Sequence, residues 1–214
     1  SSGSITVASI TGTAGGSASN VVINTSGAVS VTGAIGTDIG TLTITNAGGA
    51  TFGGAVTAST VALTSATGTI AFNDVLTANT LSTTSSAYSV AINASGSAIT
   101  NAVTFSNTGT VSLGSSGGTQ TYTGPITLST QAITLTSTDT TINFNGSTTT
   151  INGARDLIIN SGSGLITFGG IVGGSTALTS LTLQGSGANT LPSAITTTGA
   201  IDLKGTSRTS SLVV

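Results

Sequence analysis

The sequence predicts an all-β chain, and within that class a parallel β-helix, or β-solenoid, with coils of about 16–24 residues. Three observations carry this expectation. The composition favours strands over helices, large residues recur with a mean spacing near twenty, and each of those residues is followed by a short run of turn formers.

The composition comes first. Of 214 residues, 37% are hydrophobic and 4% are charged, against about 25% charged in typical soluble domains. Val, Ile, Leu and Ala make up most of the apolar fraction, and with Thr they form a strand-favouring mixture. Strong helix formers are scarce, with no Glu or Met, one Lys and two Arg. Low charge often accompanies disorder, but disorder goes with low hydrophobicity, and the mean hydropathy here is +0.45. No apolar run approaches the roughly 18 residues of a membrane-spanning helix. A membrane β-barrel also alternates, but it carries aromatic girdles, which 3% aromatic residues and no Trp do not supply.

The repeat comes second. Phe52, Phe72, Tyr88, Phe105, Tyr122, Phe144, Phe168 and Leu191 follow one another at comparable intervals, shortest from Phe72 to Tyr88 and longest from Phe144 to Phe168. These eight are the predicted core stack. The two positions after each are turn formers in nearly every case, as in Gly53-Gly54, Asn73-Asp74, Asn145-Gly146 and Gly169-Gly170. An aliphatic returns at the fourth position on, at Val56, Leu76, Ile92, Ile126, Val172 and Ile195, with Gly109 and Thr148 as exceptions. Two positions before the anchor stands Ala50, Ile70, Val103, Ile142 or Ile166. Positions −2 and 0 share one face of a strand. Gly, Asn, Asp and Ser then tolerate the dihedrals of a corner, and the next strand turns its aliphatic inward. Runs such as Leu42-Thr-Ile44, Val61-Ala-Leu63, Ile133-Thr-Leu135 and Leu181-Thr-Leu183 fill the rest of each period.

One coil of a β-solenoid fits this unit, with coils stacked at about 4.8 Å, so ten or so would make a rod about 50 Å long. The expected organisation is a single solenoid domain over 1–214. Within it, 1–49 are less regular coils, 50–200 the clear repeats and 201–214 a terminal strand. A β-sandwich or jelly roll is the alternative, since it also needs many short strands.

Thr51-Phe-Gly-Gly-Ala-Val-Thr57, Thr121-Tyr-Thr-Gly-Pro-Ile-Thr127 and Thr167-Phe-Gly-Gly-Ile-Val-Gly173 resemble the repeats of filamentous-haemagglutinin-like adhesins and related β-strand-repeat proteins of bacterial surfaces. The resemblance covers roughly residues 50 to 200. It implies a right-handed parallel β-helix, secreted, forming a stalk or fibre at the cell exterior. The secretion domain of that family is not visible here. The chain starts at Ser1 without a leader and reads as a processed product or excised segment. No polar cap precedes Ile5-Thr-Val7 or follows Leu212-Val213-Val214. The expected partners are therefore further coils of a longer chain or copies of itself end to end, with a cell-surface glycan or protein receptor as a further one.

The chemistry is narrow. With no His, Cys, Met, Trp or Glu, the chain lacks the residues for thiol catalysis, disulfides, imidazole or thiolate metal sites and a Ser-His-Asp triad. Its only Lys is followed by Gly205-Thr206, so no phosphate-binding loop is expected. Three cations, Arg155, Lys204 and Arg208, are too few for a nucleic-acid surface. The acids are Asp38, Asp74, Asp139, Asp156 and Asp202. Polysaccharide-cleaving β-helices need paired carboxylates. Asp139 and Asp156 come nearest to one coil apart, but they stand at different distances before their anchors, Phe144 and Phe168. No enzyme, cofactor or metal is expected. Sequons at Asn24, Asn93 and Asn145 fit chance in so Asn-, Ser- and Thr-rich a chain. The alternative function is a glycan- or ice-binding Ser/Thr/Asn face, and Thr41-Leu-Thr43, Thr121-Tyr-Thr123, Thr134-Leu-Thr136 and Thr148-Thr-Thr150 are its candidates. They fall at different phases of the repeat.

Overall fold

The computed structural model describes residues 2–94, 96–101, 103–113, 120–122, 125–128, 133–137, 139, 141–144, 149–204 and 207–208. The described residues contain strands and turns and no helix. All strand pairs are parallel, and paired strands stand one coil apart. A sandwich is built from antiparallel sheets, so that alternative is overturned. The fold is a β-solenoid.

Each coil has three faces. The first carries Ile5–Val7, Ala28–Val31, Gly49–Phe52, Thr69–Phe72, Ser89–Ile92 and Val111–Leu113 in one six-stranded ladder. Ile133–Thr136, which lies beside Val111–Leu113, opens a four-stranded continuation through Asp156–Asn160, Ser180–Gln184 and Ile201–Leu203. The second face runs through Ile10–Thr11, Ile35–Gly36, Ala98–Ile99, Gln120–Tyr122, Ile142–Phe144 and Ile166–Phe168. The third runs through Ser19–Asn24, Ile39–Asn46, Val103–Phe105, Ile126–Leu128 and Ile151–Asn152, and bridges Val172 and Ile195. Two longer strands, Val56–Leu63 and Leu76–Thr83, cross from the second face to the third and join them into one sheet. At the crossing the in–out alternation slips. Ser59 and Thr60, and likewise Asn79 and Thr80, both turn away from the core. The coils at 1–49 take part in the same ladders, with register shifts at Ser19/Asn20 and Ile23/Asn24.

Inward residues from the three faces merge into one cluster that extends from Ile23 and Val29 to Ile195. All eight anchor residues are buried. They do not form one file. Phe52 and Phe72 stack on the first face, with ring centroids 5.0 Å apart and an interplanar angle of 13°. Tyr122, Phe144 and Phe168 stack on the second face at 5.9 and 5.5 Å. The bridge between Thr167 and Thr190 extends this file to Leu191. Phe105 lies on the third face over Leu128, and Tyr88 sits just before the first-face strand Ser89–Ile92. The short intervals from Phe72 through Tyr88 and Phe105 to Tyr122 therefore mark a change of face. Coil length itself varies along the rod. Thr41 pairs with Thr60, a short step, whereas Ile10 pairs with Ile35, a long one. The corner chemistry is alike after every face, so Phe52 to Val56 turns from first to second face while Phe168 to Val172 turns from second to third. Asn145 and Thr148 lie outside the described residues, as do 209–214.

Buried polar side chains close the corners. Asn189 Oδ1 accepts from the Ile166 N–H at 2.9 Å. The Leu76 N–H donates to Ser97 Oγ at 3.0 Å, and Asn107 Nδ2 donates to the Tyr88 carbonyl at 3.0 Å. The Tyr88 hydroxyl donates to the Leu63 carbonyl at 2.6 Å and accepts from the Thr84 N–H at 3.0 Å. The Tyr122 hydroxyl, buried in its aromatic stack, has no hydrogen-bond partner among the described residues. Gly153 holds φ at +132°, and a Cβ there would run into the Leu128 carbonyl of the previous coil.

These contrasts give paired expectations for urea unfolding. Phe144→Ala, which removes the middle ring of a stack, lowers stability by about 3–5 kcal/mol. Tyr88→Phe strands two backbone groups and costs about 1–2 kcal/mol. Tyr122→Phe removes an unpartnered hydroxyl and raises stability by up to about 1 kcal/mol. Equal effects of the two tyrosine changes would contradict the assignment of their hydroxyls.

Candidate functional site

The charged groups are scattered. Asp156 opens the first-face strand Asp156–Asn160 and accepts from Ser180 Oγ at 2.6 Å. Asp139 lies beyond the other end of that face and accepts from the Ser163 N–H at 2.8 Å, which holds its carboxyl below the usual range. The two acids thus sit at opposite ends of one face, in line with their different sequence phases. Asp74 accepts from the Val75 N–H at 2.7 Å. Asp202 pairs with Lys204 at 3.1 Å in the open, where such a pair contributes about 0–1 kcal/mol. No group of three or more acids is found among the described residues.

Outward side chains are in register as strictly as inward ones, because the same ladders align both. On the second face one file reads Thr11, Gly36, Thr57, Thr77, Ala98, Thr121, Asn143, Thr167 and Thr190. Successive members are about 4.8 Å apart, the strand spacing. The file is neutral, and all its members are small. The Thr-x-Thr pairs singled out by sequence do not coincide with it. Thr41 and Thr43 lie on the third face and Thr134 and Thr136 on the first, and only Thr121 belongs to the file. The steps along it are unequal, so a fixed period cannot find it. A signal is present in retrospect: a Thr or Asn often stands directly before the second-face aromatic or aliphatic, as in Thr121-Tyr122, Asn143-Phe144, Thr167-Phe168 and Thr190-Leu191.

Beside this file, at the corner between the second and third faces, the coils differ in length. Ile35 pairs with Val56 and Thr41 with Thr60. The stretch 36–40 thus faces the shorter stretch 57–59, and the longer coil bulges outward. The bulge is backbone-strained. Thr37 and Asp38 both hold positive φ, 53° and 66°, a region where non-glycine residues are uncommon. The coil below clamps it: the Gly12 N–H donates to the Thr37 carbonyl at 2.9 Å and the Ser19 N–H to the Asp38 carbonyl at 2.8 Å. Gly12 is needed for this, since a Cβ there would strike the Asp38 carbonyl.

The shoulder walls a groove of about 310 Å³. Exposed Thr57, Ser59, Thr77 and Asn79 line it together with Asp38, over a floor of buried Ala58 and Ala78. Asp38 Oδ2 is buried and has no hydrogen-bond partner among the described residues. The groove's lining is therefore mainly hydroxyl, amide and carboxylate, and among the described residues it includes no aromatic ring and no cation.

The chain is thus a β-solenoid repeat protein. Compared with known protein families, with curated proteins and with solved structures, it matches none.

The titratable groups set an expected pH response. Asp139 is held low in the fold, so its stabilisation is present above its ordinary value of 3.8 and is lost as pH falls through that region. Burial raises Tyr88 and Tyr122 above their ordinary 10.0, so their contribution is intact below pH 10 and lost as pH rises beyond it. Thermal melts should be flat between about pH 5 and about pH 9, with a steep loss on the alkaline side. A midpoint that moves appreciably within the neutral range would contradict this.

Proposed function

We propose that the chain is a structural module, a β-solenoid segment of an extracellular fibre or adhesin stalk at the cell surface. It is lengthened by further coils of one chain or by copies stacked end to end. The observation that supports this best is the inward stack shared by all three faces among the described residues, which suits a stiff rod and leaves the outside mostly to small polar residues. The resemblance of Thr51–Thr57, Thr121–Thr127 and Thr167–Gly173 to adhesin repeats points the same way. The dispersed acids favour this role over polysaccharide cleavage. A second reading, a face that holds glycan or ice, is favoured by the in-register threonine file of the second face.

Negative-stain electron microscopy across a dilution series tests the main reading. Discrete rods about 50 Å long are expected of a stalk module, and filaments that persist on dilution are expected of a self-stacking subunit. Round particles with no preferred axis would overturn both forms of the proposal.

A further inference from the structure

We propose that the groove under the Asp38 shoulder is a binding site for a neutral saccharide, with Asp38 accepting hydrogen bonds from a pair of sugar hydroxyls. The proposal deepens the second reading above by fixing the place and the class of ligand, and it does not depend on the stalk.

Three independent observations meet at this corner. The first is the cavity itself. Its volume of about 310 Å³ stands at the lower end of small-molecule sites, which suits a short stretch of sugar rather than a folded partner. The second is the unpartnered oxygen. A buried carboxylate oxygen without a donor is costly to leave unmet, and Asp38 Oδ2 is in that state. A ligand hydroxyl would supply the missing donor. The third is the strain. Two consecutive non-glycine residues at positive φ persist only where the surroundings hold them, and such strain gathers at functional sites. Here it presents a carboxylate at the edge of a groove.

The lining selects the ligand. A carboxylate only accepts hydrogen bonds, whereas hydroxyls and amides both donate and accept, so the complementary surface is rich in O–H groups. An anionic ligand is disfavoured, because among the described residues of the lining Asp38 alone is charged and none is Lys or Arg. Exposed Ala18 supplies an apolar methyl beside these polar groups, against which the C–H face of a sugar ring can rest. Thr57 over Thr77 and Ser59 near Asn79 repeat at the strand spacing, so successive hydroxyls of an extended oligosaccharide meet successive coils.

The test is isothermal calorimetry on the full chain with cellohexaose, mannohexaose, laminarihexaose and chitohexaose, and with hexagalacturonate as the charged control. At least one neutral hexamer is expected to bind saturably at up to millimolar concentration. Asp38→Asn keeps the size of the side chain and should weaken binding at least about tenfold. Ser59→Tyr, which fills the groove, should abolish it, and Thr51→Ala, exposed on the first face and outside both the groove and the threonine file, should leave it unchanged. Circular dichroism confirms the fold of each variant. Binding that survives both Asp38→Asn and Ser59→Tyr would overturn the groove while leaving the second reading standing. No binding by any neutral hexamer would overturn the groove, and inhibition of ice recrystallisation in its place would move the ligand class to ice. Hexagalacturonate binding as well as the neutral hexamers would overturn the role given to Asp38.

Discussion

Every level of this molecule depends on the parallel ladder between one coil and the next. Side chains alternate with a period of two along a strand, so a slip by a single position would carry a whole strand's apolar set to the solvent side. The apolar stack prevents that slip, and the ladder in turn positions the stack. Phe144 illustrates the mutual dependence. Its ring lies between Tyr122 and Phe168 only because residues 142–144 pair with 166–168 and residues 120–121 with 142–143. Variation in coil length falls mostly at the corners, where glycine and buried Ser, Thr and Asn replace the ladder bonds that a corner loses, and otherwise in the register shifts of Ser19–Asn24. Coils of unequal length thus coexist with an unbroken core.

The same constraint organises the outside. A ladder that aligns inward residues aligns outward ones too, so the surface is ordered in axial files whether or not selection acts on them. The threonine file of the second face is one result. Its regularity follows from the fold and its composition from the sequence, and only the composition carries functional information. The Asp38 corner differs in kind. An outward bulge, two strained residues and an unmet carboxylate oxygen are departures from the repeat, and departures are where a solenoid can hold something specific.

Much of this was legible in the residues. Strand-forming composition, inward alternation and corner chemistry are local properties, and a parallel β-helix follows from their recurrence. The phase of the anchors was not legible. The three inner faces of the coil are equivalent environments, so a large ring fits any of them. The moves from Phe72 to Tyr88 and on through Phe105 to Tyr122 therefore look like short coils when they are steps around the prism. The groove was hidden for a related reason. Only the pairing of Ile35 with Val56 and of Thr41 with Thr60 reveals that the corner holding Asp38 is too long for the coil above it. No motif marks it, and Asp38 itself looks like one more acid in a loop.

The direction of the ladder bonds has a mechanical consequence. They run along the rod, so tension on the rod loads the bonds of a rung in direct extension. Because each coil touches only its neighbours, the coil at a loaded end can peel away while the rest stays folded. A released coil of about 20 residues extends to about 70 Å of chain, many times the roughly 4.8 Å it occupied. A solenoid of this construction gives way under load by stepwise lengthening before it breaks, and it recovers by rewinding against the intact coil beneath.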